Sequence, residues 1–131
     1  MKIFNNVSLI FACIGGFIFH YLGGNDSLLK AIINLIIIDY ISGLIKALYN
    51  KKISSNVGFK GIIKKVMILL IIATTVVIEN IIATEIPIRE VTIMFFISNE
   101  GISILENASE FVNIPKILKD FIEKLRGNNN V

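Results

Sequence analysis

The sequence predicts an all-α integral membrane protein, with four transmembrane helices followed by a C-terminal amphipathic helix. Three observations carry that reading. Hydrophobic residues make up 54% of the 131-residue chain and charged ones 18%, whereas soluble domains average about 45–50% and about 25%. The apolar residues fall into four long runs separated by short polar intervals. The Lys and Arg residues gather at alternate intervals, the pattern of a multi-pass protein. The length allows one domain, here residues 1–127, and the polar tail 128–131 is expected to be disordered.

The first run, residues 3–24, contains no charge. The second, 28–48, holds only Lys30, Asp39 and Lys46 as charged residues. The third, 66–84, is apolar apart from Glu79, Asn80 and a few threonines. The fourth, 91–108, is the most interrupted, by Asn99, Glu100, Glu106 and Asn107. A spanning helix needs about 20 mostly apolar residues; three runs meet that and the fourth only just. A membrane β-barrel needs many alternating segments of about ten residues, and these runs are continuous.

Of the 13 Lys and Arg residues, all but Lys30 and Arg89 lie in three places. These are Lys2, the stretch from Lys46 through Lys51, Lys52, Lys60 and Lys64 to Lys65, and the C-terminal Lys116, Lys119, Lys124 and Arg126. Four spans with both termini inside put all three places in the cytoplasm; the basic loop of Lys51, Lys52, Lys60, Lys64 and Lys65 is read as solvated and topology-setting, with contact to anionic lipid headgroups as the alternative. A cleaved signal peptide is the alternative for the first run. No Ala-x-Ala site follows it, and it exceeds the usual apolar core of about 7–15 residues, so it is read as retained.

The spans carry polar stripes. Ser8, Ala12, Gly16 and His20 share one face of the first, small residues at a spacing that lets helices pack closely in lipid, within one subunit or between subunits. Asp39, Gly43 and Ala47 share a face of the second, with Ser42 and Lys46 beside it. Thr75, Glu79 and Ala83 do so in the third. Asn99, Glu100, Ser103, Glu106 and Asn107 make a broad polar strip on the fourth, where Glu106 and Asn107 are alternatively end-of-helix residues. A carboxylate at mid-membrane costs about 2.5–3.5 kcal/mol on insertion scales, so such groups face a bundle interior or an aqueous cavity. Asp39 and Glu79 are the deepest by sequence. Two function classes fit: a pore-former lined by its polar stripes, or a small ion or drug transporter using Asp39 or Glu79 as its site.

Beyond the spans, Ile114, Ile117, Leu118, Phe121, Ile122 and Leu125 make one apolar face of a helix over 114–126, opened by Asn113 and Pro115 and closed by Gly127. At about a dozen residues it is too short to span and reads as an interfacial helix on the inner leaflet, or one resting on the cytoplasmic ends of the bundle. The composition closes other routes. A single cysteine, Cys13, and a single histidine, His20, leave no Cys-based zinc site or thiol–histidine pair. Ser54 and Ser55 have no histidine nearby, and Gly58 and Gly61 lack a phosphate-loop pattern. No cofactor, catalytic residue or nucleic-acid partner is expected.

Four blocks in order resemble the toxin-secretion/phage-lysis holins. They are Asp39-Tyr40-Ile41-Ser42-Gly43 with Ala47 after it, Ser54-Ser55-Asn56-Val57-Gly58-Phe59-Lys60-Gly61 leading to Lys64-Lys65, Asn99-Glu100-Gly101-Ile102-Ser103-Ile104-Leu105-Glu106-Asn107, and Ile114-Pro115 before a short basic helix. The resemblance covers the chain from Asp39 onward. It implies a non-enzymatic protein of the bacterial cytoplasmic membrane. Such a protein homo-oligomerises into lesions through which an endolysin or a large toxin leaves as cargo rather than as a bound ligand. Asp39, Glu79, Asn99, Glu100, Ser103, Glu106 and Asn107 would then face helix interfaces or the lumen.

Overall fold

A computed structural model of the chain describes residues 2–127 and is all-α. Its helices are α1 (Lys2–Tyr21), α2 (Ser27–Tyr49), α3 (Ser55–Ile82), α4 (Ile88–Ala108) and α5 (Lys116–Gly127). The expected disordered tail, 128–131, lies outside the described residues.

Local chemistry sets the boundaries. α1 ends in a Schellman turn: Gly24 N–H reaches Phe19 C=O at 2.9 Å, Gly23 N–H reaches His20 C=O at 3.2 Å, and Gly23 takes φ +86°. α2 opens on Asp26, whose carboxylate accepts the Leu29 N–H at 2.8 Å. The same turn type closes α2, with Lys51 at φ 55°. Ser54 caps α3 by accepting the Val57 N–H at 3.2 Å. Ala83 ends α3 in the left-handed region at φ 49°. Pro87 precedes α4, and the Pro115 carbonyl accepts from Leu118 and Lys119 at the start of α5.

Two boundaries differ from the sequence expectation in ways that matter. The third run was placed at 66–84, but α3 begins at Ser55, so most of the expected basic loop is helix. Ser54 supplies the cap, and no proline interrupts the chain between Ser54 and Ala83. At 1.5 Å per residue α3 is about 42 Å long, with its middle near Ile68. Glu79 therefore lies close to the end of α3 rather than deep in a span. The last helix starts at Lys116, two residues beyond the expected 114, because Pro115 stands just before it.

Helices α2, α3 and α4 form the core. Cross-contacts fix their directions: Arg89 meets Asp26 at one end, and Asn107 meets Ser42 toward the other, so α2 and α4 run parallel. Tyr40 lies against Gly58, and Glu79 lies against Arg89, so α3 runs antiparallel to both. Leu22, Leu29, Ile32, Ile36, Ile68, Ile72 and Ile93 form the apolar centre. The Gly23–Gly24 turn joins α1 to the N-terminal end of α2. α1 packs little on the core. Ser8, Ala12 and Gly16 are exposed, and a Cβ on Gly16 would meet nothing within 4 Å. Packing of that small-residue face inside one subunit is therefore not found.

Charged side chains are buried beside this apolar centre while large apolar ones face outward. Asp39, Lys65, Thr75, Arg89 and Glu100 are buried, while Ile37, Ile41, Ile45, Leu70, Val77 and Phe95 stand at least half exposed. Soluble folds almost never bury charged groups while leaving such apolar surface in water. α2 and α3 are long and apolar enough to cross a membrane, and α1 contains a shorter apolar stretch, Asn5–Tyr21. The fold suits a bilayer.

Candidate functional site: a buried ion cluster between three helices

Asp39 on α2, Lys65 on α3 and Glu100 on α4 meet at the middle of the core. The Lys65 ammonium donates to Asp39 Oδ2 and to Glu100 Oε2. Side-chain exposure is 9% for Lys65 and Asp39 and 3% for Glu100. The other Asp39 oxygen accepts from Asn107 Nδ2 at 3.4 Å, and Asn107 also donates to Ser42 Oγ at 3.0 Å. Gly43 borders this network, and a Cβ there would sit in ordinary contact, 3.7 Å from the Asn107 amide nitrogen. Thr75, one stripe further along α3, donates to the Ile72 carbonyl at 2.7 Å. Among the described residues every buried side-chain polar atom has a partner. One ammonium thus holds two carboxylates in a low-dielectric interior, where breaking such a contact costs far more than at a surface.

Lys65 corrects the sequence reading. The sequence groups it in a solvated loop with Lys51, Lys52, Lys60 and Lys64; those four are exposed, but Lys65 is buried. The reason is phase. Once α3 starts at Ser55, Lys65, Ile68, Ile72 and Thr75 form one inward stripe. That continuity with the apolar stripe was the available signal.

The polar strip on α4 is divided. Glu100 and Asn107 point inward, Ser103 and Glu106 are half-buried, and Asn99 is exposed. A cavity of about 210 Å³ opens beside the cluster, lined by Asp39, Tyr40, Gly43, Gly61, Lys64 and Lys65 among others. Tyr40 donates its hydroxyl to the Gly58 carbonyl at 3.4 Å, and a Cβ on Gly61 would sit 3.1 Å from its ring. The two glycines of the Ser54–Gly61 block thus let α3 pass close to Tyr40. Ala47 is half-buried on the same helix as Gly43.

A second polar centre lies at the opposite end. Arg89 is buried and donates from Nε to the Leu22 carbonyl at 2.6 Å, from one terminal nitrogen to Asp26 at 2.6 Å, and from the other to the Gly24 carbonyl at 3.4 Å. Its backbone N–H reaches Glu79 at 3.1 Å. Sequence reading singled out Glu79 but left Arg89 as a residual charge. Arg89 binds the α1–α2 turn to α4, and the guanidinium beside Asp26, with the Leu29 N–H, holds the Asp26 carboxyl below its ordinary value. His20 is exposed and borders a cavity of about 650 Å³ there. At the basic end, Lys46 and Asn50 bind Glu110 at 2.9 and 3.0 Å and lower its carboxyl in turn. Tyr49 packs edge-on against Phe111. Leu118 and Phe121 of α5 border a groove with Leu35, Ile97 and Leu105. No cluster of three or more His, Cys, Asp or Glu able to hold a metal occurs among the described residues.

No solved structure matches the chain. An uncharacterised protein of Listeria monocytogenes is 43% identical over 119 residues, covering 88% of this chain and 85% of that one. An uncharacterised 14.9 kDa protein of Clostridium perfringens is 36% identical over 105 residues, 79% of this chain and 80% of that one. A probable holin of Bacillus phage phi105 is 32% identical over 111 residues, 84% of this chain and 82% of the phage protein. The model of the bacteriophage holin family matches residues 16–127, which include both polar centres and all of α2 to α5. The chain belongs to the bacteriophage holin family.

Proposed function

We propose that this protein is a holin that assembles with copies of itself in the bacterial cytoplasmic membrane and opens pores large enough for an endolysin or a protein toxin to leave. The observation that carries the reading is the Asp39–Lys65–Glu100 cluster, a charged interior inside an apolar exterior. In a separate subunit the three helices satisfy one another's charges without water. When subunits assemble and the helices part, the same groups, with Asn107 and Ser103, line an aqueous lumen. A closed, harmless form and an open, wetted form are thus available to one set of side chains.

The protein spans the bilayer four times in this reading, with both termini in the cytoplasm. Antiparallel α3 between parallel α2 and α4 supports it, because the turn carrying Lys51 and Lys52 and the segment leading to α5 lie at one end. α4 is about 31 Å long, enough to cross a hydrocarbon core of about 30 Å. α5 then rests at the inner leaflet. The cluster supplies no catalytic arrangement, and cargo passes through rather than binding.

Expression in bacteria, with viability, potassium leakage and release of a cytoplasmic enzyme followed together, tests the proposal. A delay followed by abrupt release of the folded enzyme is expected. Transport or leakage confined to ions and small solutes would overturn it in favour of a small transporter.

A further inference from the structure

Two outward-facing side-chain amides of the core helices lie away from the helix ends. Asn34 on α2 and Asn99 on α4 are exposed, and neither is hydrogen-bonded among the described residues. They stand at one depth. Asn107 is bonded to Ser42 at 3.0 Å, and Asn34 precedes Ser42 by the same number of residues as Asn99 precedes Asn107. Asn34 lies about 10 Å along α2 from Ser27, well inside a spanning helix.

Their directions are complementary. Ile32, Ile36 and Asp39 turn the inner face of α2 to the core, which leaves Asn34 on an outer ridge with exposed Ile37, Ile38, Ile41 and Ile45. Asn99 instead borders a groove between α3 and α4, with a cavity of about 430 Å³ walled by Met67, Ile71 and Phe96 on one side of it and by Lys64, Ser103 and Glu106 further along. In the triangle of core helices, the ridge is the α2 corner and the groove is the edge opposite it.

We propose that the α2 ridge of one copy seats in the α3/α4 groove of a second copy, with Asn34 of one bonded to Asn99 of the next. This names the interface of the assembly proposed above and rests on that reading. An amide left unpaired in lipid is unfavourable, and interhelical Asn contacts drive association there. Each carboxamide both donates and accepts, so two amides can pair. Copies inserted in one orientation place these amides at one depth without adjustment, whereas lipid chains offer neither partner. Because ridge and groove are different surfaces, the contact is head-to-tail and repeats into a ring or chain rather than stopping at a dimer.

Cross-linking in membranes tests this. In a Cys13→Ala background, Ile38→Cys and Met67→Cys lie near one depth, on ridge and groove, and leave both amides intact. A bifunctional maleimide should give a ladder of dimers and higher species from the double variant, and monomers from each single variant. Adding Asn34→Leu or Asn99→Leu, at equal membrane levels, should reduce the ladder about tenfold, the scale of one strong interhelical amide contact. Dimers from Met67→Cys alone, or a ladder indifferent to both Leu substitutions, would overturn the proposal. No ladder from a double variant that still releases a cytoplasmic enzyme overturns the interface while the holin reading stands. A ladder from a chain that releases nothing does the reverse.

Discussion

Lys65 donates to Glu100 across the α3–α4 interface, joining residues 35 apart in sequence at the centre of the core. The same ammonium also serves Asp39, so the cluster is formally two carboxylates on one cation. Removing the cation and removing one carboxylate therefore have opposite consequences. Lys65→Met leaves two buried carboxylates facing each other and is expected to destabilise the core by about 3–5 kcal/mol, read as lower thermal stability in detergent and lower accumulation in membranes. Adding Asp39→Asn and Glu100→Gln to it should recover most of the loss. Either carboxylate change alone leaves a balanced pair and should hold the packed form longer, delaying lysis at matched protein levels. Unaltered timing in both would count against a working role for these groups.

The tight turn after α1 gives a sharper steric contrast. A Cβ on Gly23, at φ +86°, would overlap Arg89 Nε and lie 2.7 Å from its Cδ, while one on Gly24, at φ +104°, meets nothing within 4 Å. Gly24→Ala should show only the backbone penalty, about 1–2 kcal/mol. Gly23→Ala should lose more, because it also displaces Arg89 from the Leu22 carbonyl and Asp26. Equal melting temperatures for the two variants would contradict this arrangement.

Ala83 offers the converse. It ends α3 in the left-handed region at φ 49°, a conformation that glycine adopts without the Cβ penalty. Ala83→Gly should therefore stabilise the protein, by about 1 kcal/mol, seen as a raised unfolding midpoint in micelles.

Acid should loosen the Arg89 end. The Asp26 carboxyl is held below its ordinary value of 3.8, chiefly by the Arg89 hydrogen bond and then by the Leu29 N–H. Since the folded-state value is the lowered one, the stability it contributes is fully present above about pH 3.8 and disappears as pH falls through the lower folded value. Hydrogen-exchange protection in the α1–α2 turn, taken relative to the intrinsic exchange rate at each pH, should fall across that acid window. Asp26→Asn retains the cap but loses the ion pair, so its protection should be lower at neutral pH and flatter with pH.

Much of this was legible in the sequence, and the exceptions have one cause. The runs that became α1, α2 and α4, and the inward carboxylates Asp39 and Glu100, follow from apolar length and from the cost of burying charge. The start of α3 did not, because hydropathy ends a segment where lysines begin. A buried lysine looks like a loop lysine until the carboxylates opposite it are known. That one boundary hid Lys65 and moved Glu79 from mid-span to a helix end. Arg89 was hidden likewise, since its acidic partner Asp26 lies 63 residues away and its other partners, the Leu22 and Gly24 carbonyls, are backbone atoms with no residue-type signature. Ser8, Ala12 and Gly16 do share a helix face, but within one copy no helix comes to fill it.

The central claim is that the Asp39–Lys65–Glu100 interior is dry in the separate subunit and wetted when the pore opens. Gly43→Cys in a Cys13→Ala background reports on it directly, because position 43 adjoins Asn107 and the cluster and has room for a Cβ. The variant is reconstituted in vesicles with a charged thiol reagent on both faces. Labelling should be slow at protein densities where an entrapped enzyme is retained, and fast once that enzyme escapes. A labelling rate unchanged across the onset of release, whether fast or slow, would contradict the account.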